Sequence, residues 1–262
     1  MRLLRLLAPA VALLTAAQLA AAPPATAALP APDPLDPVIA AVKRQFTGKS
    51  GVRFTAKSVE RTVGTARTTT SSGAYRLSPS GLSASDVTDV DEEGLYFRVR
   101  TIGRASYTQD NKYDPLPKGK KWRSRGYVPN YRWRDDLVDG INLGFLALAA
   151  SQDHSATEGG TVEGTPCTLL QGTVTVAGLG TTQPGVRFST KTGGFTGGTI
   201  SWRLWAGPDH LPRRFHAVIT WDNAPEEKDE GFDYIKQNKI YRHWGAGFTI
   251  THPPRKSVAP DD

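Results

Sequence analysis

The sequence predicts an α+β protein built on a curved antiparallel β-sheet with a few short helices. Three observations lead there. Short segments alternate apolar and polar residues, and period two marks a strand with one buried face and one wetter face. Gly and Pro, 26 and 19 of 262 residues, are spread along the chain, which favours many short strands joined by turns. Three signatures in the C-terminal half read as strands punctuated by turn residues: Val162 to Val176, Trp205 to Arg214 and Tyr241 to Pro254.

The elements follow in order. Arg2 and Arg5 precede an apolar run, Leu6 to Ala22, which ends in Ala25-Thr26-Ala27, with no acid before Asp33. This is the pattern of a secretory signal peptide, residues 1–27, with cleavage near Ala27. An uncleaved anchor fits less well, because Pro9 and Gln18 interrupt the run. A Pro-rich lead-in covers 28–35, and a single domain is expected over 36–254. Asp36-Pro37 reads as an N-cap followed by a helix with Leu35, Ile39, Val42 and Phe46 on one stripe and Gly48 as its stop. Strands are expected where Val52, Phe54 and Ala56 alternate with Arg53, Thr55 and Lys57, over Ala66 to Leu77, and where Leu95, Phe97 and Val99 alternate with Tyr96, Arg98 and Arg100. Two shorter ones cover Ala105 to Thr108 and Lys121 to Arg125.

Asp135-Asp136 reads as the cap of a helix running from Leu137 to about Ala150. Its second half is apolar on nearly all sides and so needs burial all round, either as a core helix or as a lid over an apolar cavity. It is too short to span a bilayer. Strands return over Val162 to Val176, as two or as one bent strand. Thr192 to Gly198 reads as a loop, and a hairpin combines Ile200, Trp202 and Leu204 with Phe215, Ala217, Ile219 and Trp221. Asn223 to Asn238 reads as a charged loop, Lys239 to Thr251 as the last strand, and 255–262 as a disordered tail.

The chain lacks the sequence marks of common catalytic sites. There is no G-x-S-x-G elbow, H-E-x-x-H or C-x-x-C, and no Gly-rich loop leads into a helix. The five histidines are scattered, so neither a metal site nor a cofactor is expected, and no catalytic residue is assigned. Asp89, Asp91, Glu93 and Gly94 mimic the start of a calcium loop, but Arg100 stands where the closing Glu belongs; a polar hairpin turn is the better reading. The single cysteine, Cys167, lies in a strand and reads as a small buried side chain. Formal charge is +7, and +5 once Arg2 and Arg5 leave with the signal peptide. That balance and the absence of motifs exclude nucleic acid as the expected partner. The basic run Lys118 to Arg125 reads as a loop and strand edge, with contact to an acidic envelope surface as the alternative.

The signatures resemble those of LolA/LppX/LprG-like exported lipid-binding proteins and lipoproteins, in their actinobacterial branch. The strand motif V-x-G-x-P-x-T-x-x-x-G-T-V is matched by Val162, Gly164, Pro166, Thr168, Gly172, Thr173 and Val174. A W-x-x-x-D-x-L-P-R-R turn is matched by Trp205, Asp209, Leu211, Pro212, Arg213 and Arg214, and a closing Y-x-x-W/F-G strand by Tyr241, Trp244, Gly245 and Pro253. Two departures stand out: the lipobox cysteine common in that branch is missing, and Leu170 and Cys167 replace an aromatic residue and Thr. The resemblance implies a half-barrel, with helices packed on the concave face of the sheet and acyl chains held between them.

The function expected is that of an exported, monomeric, non-catalytic carrier of a lipid or other hydrophobic ligand, secreted or associated with the cell envelope. The candidate cavity lining is Phe54, Phe97, Val99, Ile141, Phe145, Leu148, Trp202, Leu204, Phe215 and Ile219, all of which equally suit a filled core. The alternative is a cell-surface sensory or protein-interaction module without lipid. It would use Tyr127, Tyr131 and Trp133 beside Arg132 and Arg134 as its contact patch.

Overall fold

In the computed structural model, residues 32–259 are described except 63, 111–115, 128–137, 178–194 and 224–231. The described part falls in one compact unit starting at Asp33. Residues 1–31, which include the expected signal peptide and most of the expected lead-in, lie outside the described residues.

The unit is a single twelve-stranded sheet, curved and unclosed, with two helices on one face. Helix α1 (Asp36–Arg44) precedes a meander of six strands: β1 (Gly51–Thr62), β2 (Thr65–Ser78), β3 (Gly81–Asp91), β4 (Tyr96–Ile102), β5 (Ala105–Asp110) and β6 (Trp122–Tyr127). Helix α2 (Leu143–Ala150) then leads to the opposite edge. A second meander returns from there through β7 (His154–Val162), β8 (Thr165–Ala177), β9 (Phe195–Ala206), β10 (Pro212–Asn223) and β11 (Phe232–Arg242). Strand β11 pairs antiparallel with β1, so the two meanders fuse at the middle of the sheet. The expected tail differs over 255–259: Arg255–Ser257 form a 3-10 turn, and β12 (Val258–Ala259) adds a parallel strand to β6, with Ala259 buried.

Local chemistry explains most elements. The β7–β8 turn, Glu163-Gly164, has positive φ at both residues, as a two-residue hairpin with right-handed strand twist requires. This resolves the Val162–Val176 segment as the end of one strand, a turn and a second strand. Helix α1 buries Leu35 and Val42 of its predicted stripe together with Val38 and Ala41, while Ile39 and Phe46 are only partly buried against the core. Its cap differs from the expectation. Leu35 is the N-cap and donates its N–H to Asp33 Oδ1 at 2.7 Å, while Asp36 lies inside the first turn, where its charge suits the helix dipole.

Three further expectations are corrected. Helix α2 is shorter than predicted, because Asp139 Oδ1 accepts the N–H of Ile141 and Asn142 Oδ1 accepts those of Gly144 and Phe145; these local bonds outcompete helical ones until residue 143. The expected start at 135–137 lies outside the described residues. The charged segment before Asn238 is in part strand, since β11 begins at Phe232, and that strand ends at Arg242, with His243 at φ 54° turning the chain. Gly197 and Gly198, expected in a loop, belong to β9, while 192–194 lie outside the described residues.

The acidic segment proves to be strand β3 plus a turn. Asp91 Oδ1 accepts the N–H groups of Glu93 and Leu95, and Asp86 binds Arg98 and Arg100 on the neighbouring strand. Among the described residues, no group of three His, Cys, Asp or Glu side chains is arranged to hold a metal. No described helix is long and apolar enough to cross a membrane.

Candidate ligand-binding face

The register of the ladders sorts side chains onto two faces. The inner face, covered by α1 and α2, carries Val52, Phe54 and Ala56 of β1, Gln237, Lys239 and Tyr241 of β11, Phe215, Ala217 and Ile219 of β10, and Ile200, Trp202 and Leu204 of β9. Seven of the ten candidate residues, Phe54, Ile141, Phe145, Trp202, Leu204, Phe215 and Ile219, meet in one buried cluster. Phe145 stands edge-on to Trp202 and to Phe215, with ring centroids 6.4 and 5.6 Å apart, a favourable aromatic geometry. Leu148 packs at the margin of this cluster.

Phe97 and Val99 stand apart from it. Along one rung of the sheet Phe54, Gly73, Val87, Val99 and Thr108 lie in line on the inner face. Phe54 and Val87 belong to the packed core, Val99 is half-buried, and Phe97 on the next rung is 37% exposed. Beyond the cluster the apolar surface of this face narrows to Val99 and Phe97, with Asp89 beside Phe97 on its rung. On the same stretch Ser85 and Thr101 are buried, and Thr101 Oγ1 has no hydrogen-bond partner among the described residues.

Between the apolar cluster and this stretch lies a buried polar knot. The Lys239 ammonium, 1% exposed, pairs with the Asp139 carboxylate, itself 2% exposed. Tyr241 donates its hydroxyl to Asp139 Oδ1 at 2.5 Å, and the N–H of Gly140 donates to the Tyr241 hydroxyl at 3.1 Å. Lys239 Nζ also donates to the Tyr75 hydroxyl and sits 4.4 Å from the centroid of the Phe54 ring. Gln237 Nε2 donates to the carbonyl of Val138. Burial alone would lower the lysine's pKa, but the Asp139 charge outweighs it and the net shift is upward. Burial, with Asp139 next, pushes the Tyr241 phenol well above its usual value. The knot thus fixes residues 138–142 against the centre of the sheet. No room exists for a side chain at 140, where a Cβ would come within 2.8 Å of Leu204 and Phe215.

The knot was not expected from the sequence. Its signal lay in Ile235, Gln237, Lys239 and Tyr241, which keep strand period with two polar residues on the inner face, and in Asp139 amid an apolar stretch. The signatures serve this architecture. Tyr241 of the third holds Asp139, Trp244 donates Nε1 to the Pro212 carbonyl of the second, and Arg214 lies 4.7 Å over the Trp205 ring. Cys167 is buried, donates to the Thr165 carbonyl, and burial raises its pKa, so it persists as thiol. The run Lys118 to Arg125 joins β6, with Trp122 and Arg123 buried. Tyr131, Arg132, Trp133 and Arg134 of the alternative contact patch, and the side chain of Tyr127, lie outside the described residues.

The fold and face define a class: an open, curved antiparallel sheet with helices packed on an apolar inner face. No protein-family model and no curated protein matches the chain. Among solved structures it is similar to LprF from Mycobacterium bovis, at 13% identity over 82% of this chain and 95% of that one, with a TM-score of 0.45. It is also similar to a LolA superfamily protein from Nitrosomonas europaea, at 10% identity over 84% and 94%, TM-score 0.27. A third is a putative outer membrane lipoprotein-sorting protein domain from Vibrio parahaemolyticus, at 8% over 81% and 92%, TM-score 0.29. The resemblance read from the sequence is to proteins of these same kinds.

Proposed function

We propose that the protein is an exported, non-catalytic carrier that binds a lipid or other hydrophobic molecule on the inner face of its sheet. The observation that carries this reading is the apolar strip at the margin of the packed core, where half-buried Val99 and exposed Phe97 adjoin core residue Val87. An alkyl chain laid there extends the core, and each Å² of apolar surface removed from water contributes about 25 cal/mol. Phe97, Val99 and, at the other margin, Leu148 are the first contacts. The seven residues of the cluster form the wall behind them. Export rests on the signal-peptide pattern of residues 1–27, and retention at the envelope on the basic surface.

The test is native mass spectrometry of the secreted protein before and after organic extraction, followed by titration with a fluorescent fatty-acid probe. The expected result is a mass that falls on extraction and probe uptake that Phe97→Asp weakens about tenfold, a loss of about 1.4 kcal/mol. A protein that carries no extractable mass and takes up no probe overturns the reading.

A further inference from the structure

The outer face of the same strands carries a second, chemically opposite feature. A groove of about 1000 Å³ runs over β7 to β11, on the side away from the helices. Its lining is polar, and two adjacent rungs of the sheet build it. On one, Gln171, Arg203 and His216 stand side by side, and Asn238 and Lys57 continue the rung beyond the groove. On the next stand Thr173, Ser201, Val218 and Lys236.

The cations among these residues, Arg203, Lys236 and Lys57, are exposed and have no carboxylate to bind among the described residues. Asp153, at the rim, is the one acid in the lining. Arg214, beside the groove, is held in place by Asn238 Oδ1 at 2.6 Å and by the Trp205 ring. The field is positive enough to register on His216. Burial first, then Lys236, Arg203 and Arg214, lower its pKa, so the imidazole is neutral at pH 7 and offers one donor and one acceptor.

We propose that this groove binds a phosphorylated, hydroxyl-rich molecule, with Arg203 and Lys236 on the phosphate and Gln171, Thr173 and Ser201 on the hydroxyls. Two cations without a carboxylate partner among the described residues, flanked by amide and hydroxyl groups, match phosphate, whose several oxygens accept many hydrogen bonds. A carboxylate would use fewer of them. The groove is far larger than one phosphate, so the ligand brings a polar body with it. A glycerophosphate headgroup in a membrane and a free phosphate ester share this chemistry. The residues proposed to hold the ligand all stand on the outer face, so the proposal stands or falls separately from hydrophobic binding on the inner face.

Two measurements test it. The wild-type protein is titrated with inorganic phosphate while the imidazole signals of His216 are followed by NMR. It is also sedimented with phosphatidylcholine vesicles with and without about 30% phosphatidylglycerol, at about 0.1 M salt. The expected result is a saturable shift with phosphate, or binding that requires phosphatidylglycerol, weakened about tenfold or more in the double variant R203Q/K236Q. A response to phosphate identifies the free ester as a sufficient ligand, and a response to vesicles alone identifies the headgroup. The thermal transition of the double variant checks that it is folded. No response to either probe, or equal responses from the variant and the wild type, overturns the proposal.

Discussion

Lys236 and Lys239 sit three residues apart in one strand and live in opposite worlds. Lys239 points inward, is 1% exposed and is bound to a buried carboxylate. Lys236 points outward into a polar groove and meets no carboxylate among the described residues. The odd spacing makes this inevitable, because neighbouring strand positions face opposite sides. The inner face obtains order from the buried Lys239–Asp139 pair. A buried pair gains little in net stability but makes each partner hard to remove. The outer face leaves its charges open to a ligand, where they add little to folding. One strand thereby carries a fixing device and a binding device.

The sharpest break of this comparison is Asp139→Ala, which strands the Lys239 charge in an apolar setting and should cost about 3–5 kcal/mol in a urea unfolding curve. Pairing it with Lys239→Met should recover most of that loss, since a well-packed apolar pair replaces a buried ion pair at little cost. If the single variant unfolds like the wild type, the knot is not the anchor of residues 138–142. Next comes Gly140→Ala, whose methyl would meet Leu204 and Phe215; overpacking of this kind should cost about 1–3 kcal/mol by the same curve.

A smaller effect is expected at the edge of the sheet, where His154 Nε2 lies 2.8 Å from Asp33 Oδ1. Burial alone would lower the histidine's pKa, but the Gln152 carbonyl and then Asp33 outweigh it and raise it above 6.5. A raised folded pKa means that the stabilisation is fully present below about pH 6.5 and fades as pH rises through the folded value. Thermal melts between pH 5 and 9 should show that decline, worth under about 1 kcal/mol, and Asp33→Asn should flatten part of it. The smallest effect belongs to the outer groove: Arg203→Gln should leave stability within about 0.5 kcal/mol of wild type. A larger loss would mean that the outer charges also hold the fold.

Much of the sheet was legible from alternation alone. Val52, Phe54 and Ala56, and the hairpin of Trp202 and Leu204 with Phe215 and Ile219, occupy the inner face as period two requires. Strand β11 was only partly legible, because Gln237 and Lys239 occupy inner positions that an alternation test expects to be apolar. The shortened α2 was hidden for a similar reason. Asp139 and Asn142 look compatible with a helix until their side chains are seen to bind nearby backbone N–H groups. Strand β12 was unreadable, since two residues gain strand geometry only from the β6 edge they meet. Strand period named the candidate residues one by one, but the sequence did not reveal that Phe97 lies outside the packed cluster while Phe54 lies within it.

By itself, then, the sequence determined which segments extend and which side of β1, β9 and β10 is apolar. These are local consequences of side-chain period. Tertiary structure alone decided that Asp139 meets Lys239 across 100 residues and that Arg203, His216 and Lys236 share one groove. Such pairings depend on strand order and register, which arise only when distant segments bury their faces together.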